Sequence, residues 1–249
     1  MLDRRATAHG GRRANDRRAP IVEGDDAIDP PHDELASVTH LTKLETVRRP
    51  RSIYARVAKP LLDRVLGSLG LAAAALPMAI IAGCILVSMG RPVLFRQRRV
   101  GRDGEVFEVL KFRTMRPDRR ASAMPVIHDR RLTHKTVADP RHTPFGRVLR
   151  KYSLDELPQL INVVRGEMSI VGPRPELESV VARYRPGLDQ RHYVKPGLTG
   201  LWQISARGDG PMHENGEWDL EYVERISFLT DLTTILRTPA AMLGERSGS

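Results

Sequence analysis

Residues 65–90 contain no charged side chain, an unbroken run of 26 positions. A straight helix of that length would be about 39 Å long, enough to cross a hydrocarbon layer of about 30 Å. Two features work against a simple crossing. Pro77 stands near the middle of the run, and an interior proline removes a helical hydrogen bond and breaks or kinks the helix. Both flanks are basic: Arg48, Arg49, Arg51, Arg56, Lys59 and Arg64 precede the run, and Arg91, Arg96, Arg98, Arg99 and Arg102 follow it. Positive charge resists translocation, so both flanks are expected on the cytoplasmic face. A re-entrant helix, broken at Pro77, that enters one leaflet and returns satisfies both features. Ser68 or backbone neighbours would then partner the carbonyls freed near the proline. The run alone leaves two alternatives open, a single span and a buried helix of a soluble domain.

The charge balance narrows the partners. Lys plus Arg number 40 against 30 for Asp plus Glu, a formal charge of +10 in 249 residues. Such an excess favours nucleic acid, phosphorylated small molecules or an anionic membrane face. Aromatic residues make up only 5%, which leaves little for a base-stacking platform. Cys84 is the single cysteine, so an internal disulfide framework and a cysteine-based zinc cluster are excluded. The eight histidines lack the i, i+4 spacing of helical zinc ligands, and no P-loop, G-x-G-x-x-G or G-x-S-x-G motif is present. A nucleotide would therefore need an unrelated site.

Residues 1–50 read as a disordered charged tail. The first 18 hold six arginines, residues 20–35 hold six acids and no Lys or Arg, and the apolar residues follow no period. Beyond the apolar run, Val93-Leu94-Phe95 and Val106-Phe107-Glu108-Val109-Leu110 flank Gly101-Arg102-Asp103-Gly104 and predict a hairpin. Period two places Lys111 and Arg113 on one face of its second strand. Residues 116–145 are polar and proline-punctuated, which predicts a long loop or a pair of short helices. Residues 153–166 predict a helix: Leu157, Leu160, Ile161 and Val164 recur at i, i+3, i+4 and i+7, Pro158 falls in the first turn, and Gly166 stops it. Gly172-Pro173-Arg174-Pro175 and residues 194–200 are rigid turns. Tyr222, Ile226, Leu229, Leu232 and Leu236 predict one side of a terminal helix, interrupted near Thr230.

Within these blocks Asp155 and Glu156 stand out. Helical geometry places Asp155 on the polar face with Gln159 and Asn162, and Glu156 on the flank. Ser153-x-x-Glu156 has the form of a capping box, an ordinary structural use of such residues. The alternative is chemical: a nucleophilic carboxylate beside a second carboxylate that serves as base or metal ligand, at a helix N-terminus able to hold a phosphate. Only six lysines occur, and Lys111, Lys151 and Lys195 fall inside the densest blocks, where a compact ammonium can meet a phosphate. Arg174, held between two prolines, suits either a fixed anion clamp or a salt-bridged turn.

Taken in order, the blocks resemble the bacterial sugar transferases, the monotopic polyprenyl-phosphate phosphoglycosyl transferases, in their short form. The resemblance covers roughly residues 55–240. It rests on Lys59-Pro60-Leu61-Leu62-Asp63-Arg64, Arg91-Pro92-Val93-Leu94-Phe95-Arg96-Gln97, Lys111-Phe112-Arg113-Thr114-Met115 and Ser153-Leu154-Asp155-Glu156-Leu157-Pro158-Gln159-Leu160. It continues in Gly166-Glu167-Met168-Ser169-Ile170-Val171-Gly172-Pro173-Arg174-Pro175-Glu176, Val194-Lys195-Pro196-Gly197-Leu198-Thr199-Gly200 and Trp218-Asp219-Leu220-Glu221-Tyr222-Val223. Many relatives carry serine before the break proline, where Leu76 stands here.

The resemblance implies an α+β, predominantly helical fold: a re-entrant membrane helix with a proline break, and a cytosolic catalytic domain on the membrane face. The expected division is a tail at 1–50, the basic flank and helix hairpin at 51–92, the catalytic domain at 93–240 and a frayed end at 241–249. It also implies transfer of a sugar-1-phosphate from a UDP-sugar to polyprenyl (undecaprenyl) phosphate with release of UMP, initiating exopolysaccharide, capsule or O-antigen-type synthesis at the inner membrane. Asp155 matches the nucleophile and Glu156 its partner, expected to help hold Mg²⁺ or to assist proton movement. Lys111, Arg113, Arg174 and Lys195 are expected to bind phosphate or nucleotide-sugar. Downstream glycosyltransferases are the expected partners, with room for a homodimer and no nucleic acid. A membrane-tethered nucleic-acid binder and a non-catalytic scaffold are the alternatives.

Overall fold

In the computed structural model, which describes residues 47–116, 141, 143–205 and 216–243, the charge-free run is the greater part of one helix, α1 (Lys59–Met89). A π-helical turn at Tyr54–Ala58 leads into it, and Pro60 sits in the first turn, where its missing N–H does least harm. Helix α1 continues through Pro77. The interruption expected there is therefore not present as a gap in secondary structure. Proline forfeits one hydrogen bond, and the turns on either side are held independently by the domain.

That support takes the form of a stripe. Lys59, Asp63, Gly67, Ile81 and Ile85 are buried, and Gly70, Ala74, Met78 and Met89 are half-buried. They recur every three or four residues, so one face of α1 lies along the domain for its whole length. The remaining faces expose Leu61, Leu62, Val65, Leu66, Leu69, Leu76, Ile80, Leu86 and Val87. Helix α1 is the one described helix long and apolar enough to cross a membrane.

After α1 the chain forms the expected hairpin, β1 (Leu94–Val100) with β2 (Val106–Phe112). It is antiparallel, in register from Leu94 opposite Phe112 to Val100 opposite Val106. The 3-10 turn Arg102–Gly104 closes it, with Asp103 and Gly104 at positive φ. Helix α2 (Pro144–Lys151) follows, capped by the Thr143 hydroxyl, which accepts from the Gly146 N–H at 2.9 Å. Residues 117–140 and 142, most of the expected long loop, lie outside the described residues.

The predicted helix over 153–166 is two elements. Leu154–Glu156 form a 3-10 turn, and α3 is Gln159–Arg165. Ser153 has φ 54° and caps nothing, so the capping box does not form. Pro158 explains the split: it has no N–H to give the Leu154 carbonyl, and that carbonyl instead accepts from Leu157.

Strand β3 (Ser169–Val171) runs parallel to β4 (Gly197–Thr199), which brings the two rigid turns together. They touch backbone to backbone: a Cβ on Gly197 would lie 2.1 Å from the Gly172 nitrogen, which only glycine permits. Short helices α4 (Glu178–Val181), which packs on β1, and α5 (Leu201–Ser205) and the 3-10 segment Leu188–Tyr193, which pack on the helices near the end of the chain, complete this region. The terminal helical segment is α6 (Glu217–Arg225) and α7 (Phe228–Leu243), divided at residues 226–227 rather than at Thr230.

Three apolar clusters hold these pieces. Ile81, Ile85, Phe112 and Leu149, with Leu154 and Leu157, join α1, the hairpin, α2 and the 3-10 turn. Val109, Val163 and Met168 join β2 to α3. Val171, Leu188, Val194, Leu220, Tyr222 and Val223 form the third cluster. Val47 is buried in it too, so packing has begun before residue 50, the boundary expected for the tail, whose residues 1–46 lie outside the described set. Each fully buried aliphatic side chain contributes about 1.5–3 kcal/mol.

At its start α1 is pinned by polar contacts. Lys59 Nζ donates to Asp231 at 2.7 Å, Tyr54 and Tyr222 hydroxyls donate to the same carboxylate, and Asp63 accepts from the Ile170 N–H at 3.1 Å. Asp231 and Thr234 face inward on α7 while Phe228, Leu229, Leu232 and Leu236 face outward. The leucine stripe read from the sequence is thus the outer face of α7.

Candidate active site

Asp155 and Glu156 sit beside Leu154 and Leu157, which join the apolar cluster that Ile81 and Ile85 of α1 share with Phe112 and Leu149. Helix α3, which follows, packs against the first half of α1: a Cβ on Gly67 would lie 2.8 Å from Val163 Cγ1. The acid pair is therefore tied to the long helix through α3 and the shared cluster.

The other face of α3 is polar and equally buried. Asn162 is fully buried and substitutes for a third strand on the open edge of β2, donating from Nδ2 to the Glu108 carbonyl at 2.7 Å and accepting the Leu110 N–H at 3.1 Å. This fixes β2 against the acid-bearing turn, and Lys111, one residue on, reaches it. Lys111 Nζ donates to Glu156 Oε1 at 2.7 Å. Burial raises the Asp155 carboxyl above its usual range, the Glu156 charge raises it further, and Lys111 and Arg150 oppose the shift.

A cleft opens beside the pair, lined by Arg99, Lys111, Glu156, Gln159, Arg174 and Gln203 among others. Arg174 lies over the Trp202 ring, 5.9 Å from its centre. Its turn is held from behind: the buried Arg191 donates to the Arg174 carbonyl and the Tyr184 hydroxyl, both at 2.6 Å, and forms an ion pair with buried Asp219. Burial pushes the Asp219 carboxyl up to about 6, against the pull of Arg191.

Of the residues singled out in the sequence, Lys111, Glu156 and Arg174 share this cleft, and Asp155 adjoins it in the chain. Arg113 is placed elsewhere. Its guanidinium is buried and donates to the carbonyls of Met89, Gly90 and Arg91 at 2.6–3.1 Å, closing the C-terminal end of α1. Strand pleat put Arg113 on the face of Lys111, but β2 ends at Phe112. Lys195 lies beside Arg64 at the far end of α3, near Gly166. Pro77 is exposed within α1. Lys151 lies over the Tyr152 ring.

Arg150, Arg99 and the Arg191–Asp219 pair escaped sequence reasoning. Among 34 arginines nothing marks these apart; only Asp219, inside the Trp218-Asp219-Leu220 block, carried a signal. Asp155 and Glu156 are donors of the kind Mg²⁺ takes, one or two carboxylates with water and substrate phosphate completing the shell, with Glu156 Oε1 already held by Lys111; among the described residues no group of three or more acids, histidines or cysteines gathers.

The family model described as bacterial sugar transferase matches residues 54–245. The exopolysaccharide production protein ExoY of Sinorhizobium fredii is 40% identical over 199 residues, which cover 77% of this chain and 88% of that protein. ExoY of Rhizobium meliloti is 40% identical over 183 residues, 68% of this chain and 78% of that one. A UDP-glucose:undecaprenyl-phosphate glucose-1-phosphate transferase of Xanthomonas campestris is 40% identical over 208 residues, 79% of this chain. The match spans only 41% of that longer relative.

Proposed function

This chain belongs to the bacterial sugar transferase family, and from that premise we propose that it is a phosphoglycosyl transferase, moving a sugar-1-phosphate from a UDP-sugar to undecaprenyl phosphate. The observation that carries the reading is the half-buried Asp155 beside Glu156, on a turn whose leucines join the cluster shared with α1, with Lys111 and Arg150 close enough to act on its charge. The named activity of the Xanthomonas relative supports the substrates.

In the first step an Asp155 carboxylate oxygen attacks the sugar-linked phosphorus. The bond from that phosphorus to the bridging oxygen breaks, UMP leaves with the oxygen, and an aspartyl phospho-sugar remains. In the second step a phosphate oxygen of the lipid attacks the same phosphorus. The aspartyl–phosphorus bond breaks, Asp155 regains its carboxylate, and the product is undecaprenyl diphospho-sugar. Lys111 and Arg174 offset charge on the phosphates entering the cleft. Mg²⁺, held by Glu156 with Asp155 alongside, would supply further charge neutralisation when bound. Arg113 serves the site at one remove, by fixing the end of α1 against β2. Covalent capture lets two bulky anions use one cleft in turn.

Membrane seating follows the same logic. Both halves of α1 rest on one domain while its other faces are apolar, which supports a helix that dips into one leaflet and weighs against a span. The basic flanks favour the cytoplasmic face. Neither the nucleic-acid binder nor the non-catalytic scaffold is favoured by the relatives.

The test is UMP release by the purified chain in lipid vesicles given undecaprenyl phosphate and UDP-glucose or UDP-galactose. Turnover that disappears in Asp155→Asn is expected; full turnover in that variant would reject the assignment.

A further inference from the structure

Helix α3 ends at Gly166, with φ 81°, and a Cβ built there would lie 3.1 Å from Arg64 Nη2 and 3.5 Å from Lys195 Nζ. The two cationic heads thus converge on one point, close enough for one phosphate to bridge them. Among the described residues neither head has a hydrogen bond or ion pair. Asp63 is near, but it accepts from the Ile170 N–H and pairs with Lys59. The carbonyls of Asn162 and Val163 at the helix end already accept from Gly166, Glu167 and Met168. A helix C-terminus attracts cations, yet here it gathers two without bonding either. Burial and then the Arg64 charge hold the Lys195 ammonium below its ordinary range, with Arg102 and Lys59 adding to the shift and the Asp63 carboxylate opposing it only in part.

The position adds a direction. Arg64 is the last charged residue before the 26-residue apolar run, and it stands beside exposed Leu61, Val65 and Leu66. In a helix lodged in a leaflet this is headgroup depth. Neither Arg64 nor Lys195 lines the cleft of Lys111, Glu156 and Arg174.

We propose that Arg64 and Lys195 form a second phosphate site, distinct from the acid-pair cleft, that takes the phosphate head of a lipid at the membrane face. The phosphate belongs either to the polyprenyl phosphate acceptor, which would wait there before reaching Asp155, or to an anionic phospholipid that fixes the depth of α1. The proposal rests on the transferase reading for the first source and on membrane seating alone for the second.

The full chain in vesicles separates the sources. Arg64→Gln, Lys195→Gln and the double variant are compared for KM of undecaprenyl phosphate, KM of the UDP-sugar, and partition onto phosphatidylcholine vesicles with and without phosphatidylglycerol. Each cation lost is expected to weaken phosphate binding about fivefold. If the acceptor waits there, its KM rises by that factor while the UDP-sugar KM moves less than twofold. If a phospholipid is held, partition onto the phosphatidylglycerol vesicles falls by that factor and partition onto phosphatidylcholine alone does not. Arg64→Lys and Lys195→Arg recover most of either loss, which a purely structural role would not produce. An unchanged acceptor KM together with unchanged partition, or a change confined to the UDP-sugar KM, overturns the site. Arg64 is exposed, so Arg64→Gln decides if the double variant does not fold. If the wild-type chain turns over no UDP-sugar, the transferase reading fails, and the phosphatidylglycerol comparison still decides this site.

Discussion

Lys111 Nζ lies 2.7 Å from Glu156 Oε1, across 45 residues of chain, and joins the strand β2 to the turn that carries the acid pair. The ion pair engages Glu156 and leaves Asp155, its neighbour, raised by burial and by the Glu156 charge. A nucleophilic Asp155 must be ionised, so activity is lost as pH falls through its pKa, and that pKa sits above the ordinary aspartate value. Lys111→Met removes a charge that lowers it and should move the acid limb of the kcat/KM profile to higher pH. Glu156→Gln removes a charge that raises it and should move the limb to lower pH. Shifts in the same direction in both variants would contradict this electrostatic arrangement. Lys111→Met should also slow turnover by about 10²–10³, the usual cost of losing one preorganised charge stabiliser.

Arg191 and Asp219 form a buried pair behind the Arg174 turn. Breaking such a pair leaves a buried charge uncompensated and costs about 3–5 kcal/mol. Arg191→Met should lower stability by that amount in denaturant unfolding, with a smaller loss if Asp219→Asn is added. A loss below about 1 kcal/mol would mean that water reaches the pair.

How far these contacts could be read in advance differs by element. The charge-free run and its basic ends announced α1, and turn residues announced the hairpin, because both signals are local. Asp155 and Glu156 were found through the order of the blocks rather than through their surroundings. Their local structure departs from the predicted helix, since Pro158 divides it and Ser153 adopts a positive φ. The buried polar face of α3 was illegible: Asn162 looks like an ordinary surface amide until β2, 54 residues earlier, presents its edge to it. Arg113 shows the same limit, for strand pleat cannot say where a strand ends.

The contact of α1 with α3 depends on a missing side chain at Gly67. Gly67→Leu must push Val163 away, and overpacking of this kind costs about 1–3 kcal/mol. Because α3 follows directly on the acid pair, activity should fall together with thermal stability. Gly83, inside α1 with nothing within 4 Å of its Cβ position, provides the control: Gly83→Ala should hold the unfolding midpoint or raise it slightly, since alanine favours a helix interior.

Seating in one leaflet predicts that both ends of α1 face the cytoplasm. In a Cys84→Ala background, single cysteines at Arg51 and Gly104 should both escape an impermeant maleimide in spheroplasts and both react after lysis. Labelling of one alone in intact spheroplasts would mean that α1 crosses the bilayer.

The central claim is covalent capture of the sugar phosphate by Asp155, and mass spectrometry of the purified chain given UDP-sugar without lipid acceptor tests it most directly. The account predicts a phospho-sugar adduct on the peptide containing Asp155, absent in Asp155→Asn and discharged when undecaprenyl phosphate is added. Product formed on adding the lipid, with no adduct ever detectable on Asp155 under rapid quench, would contradict it.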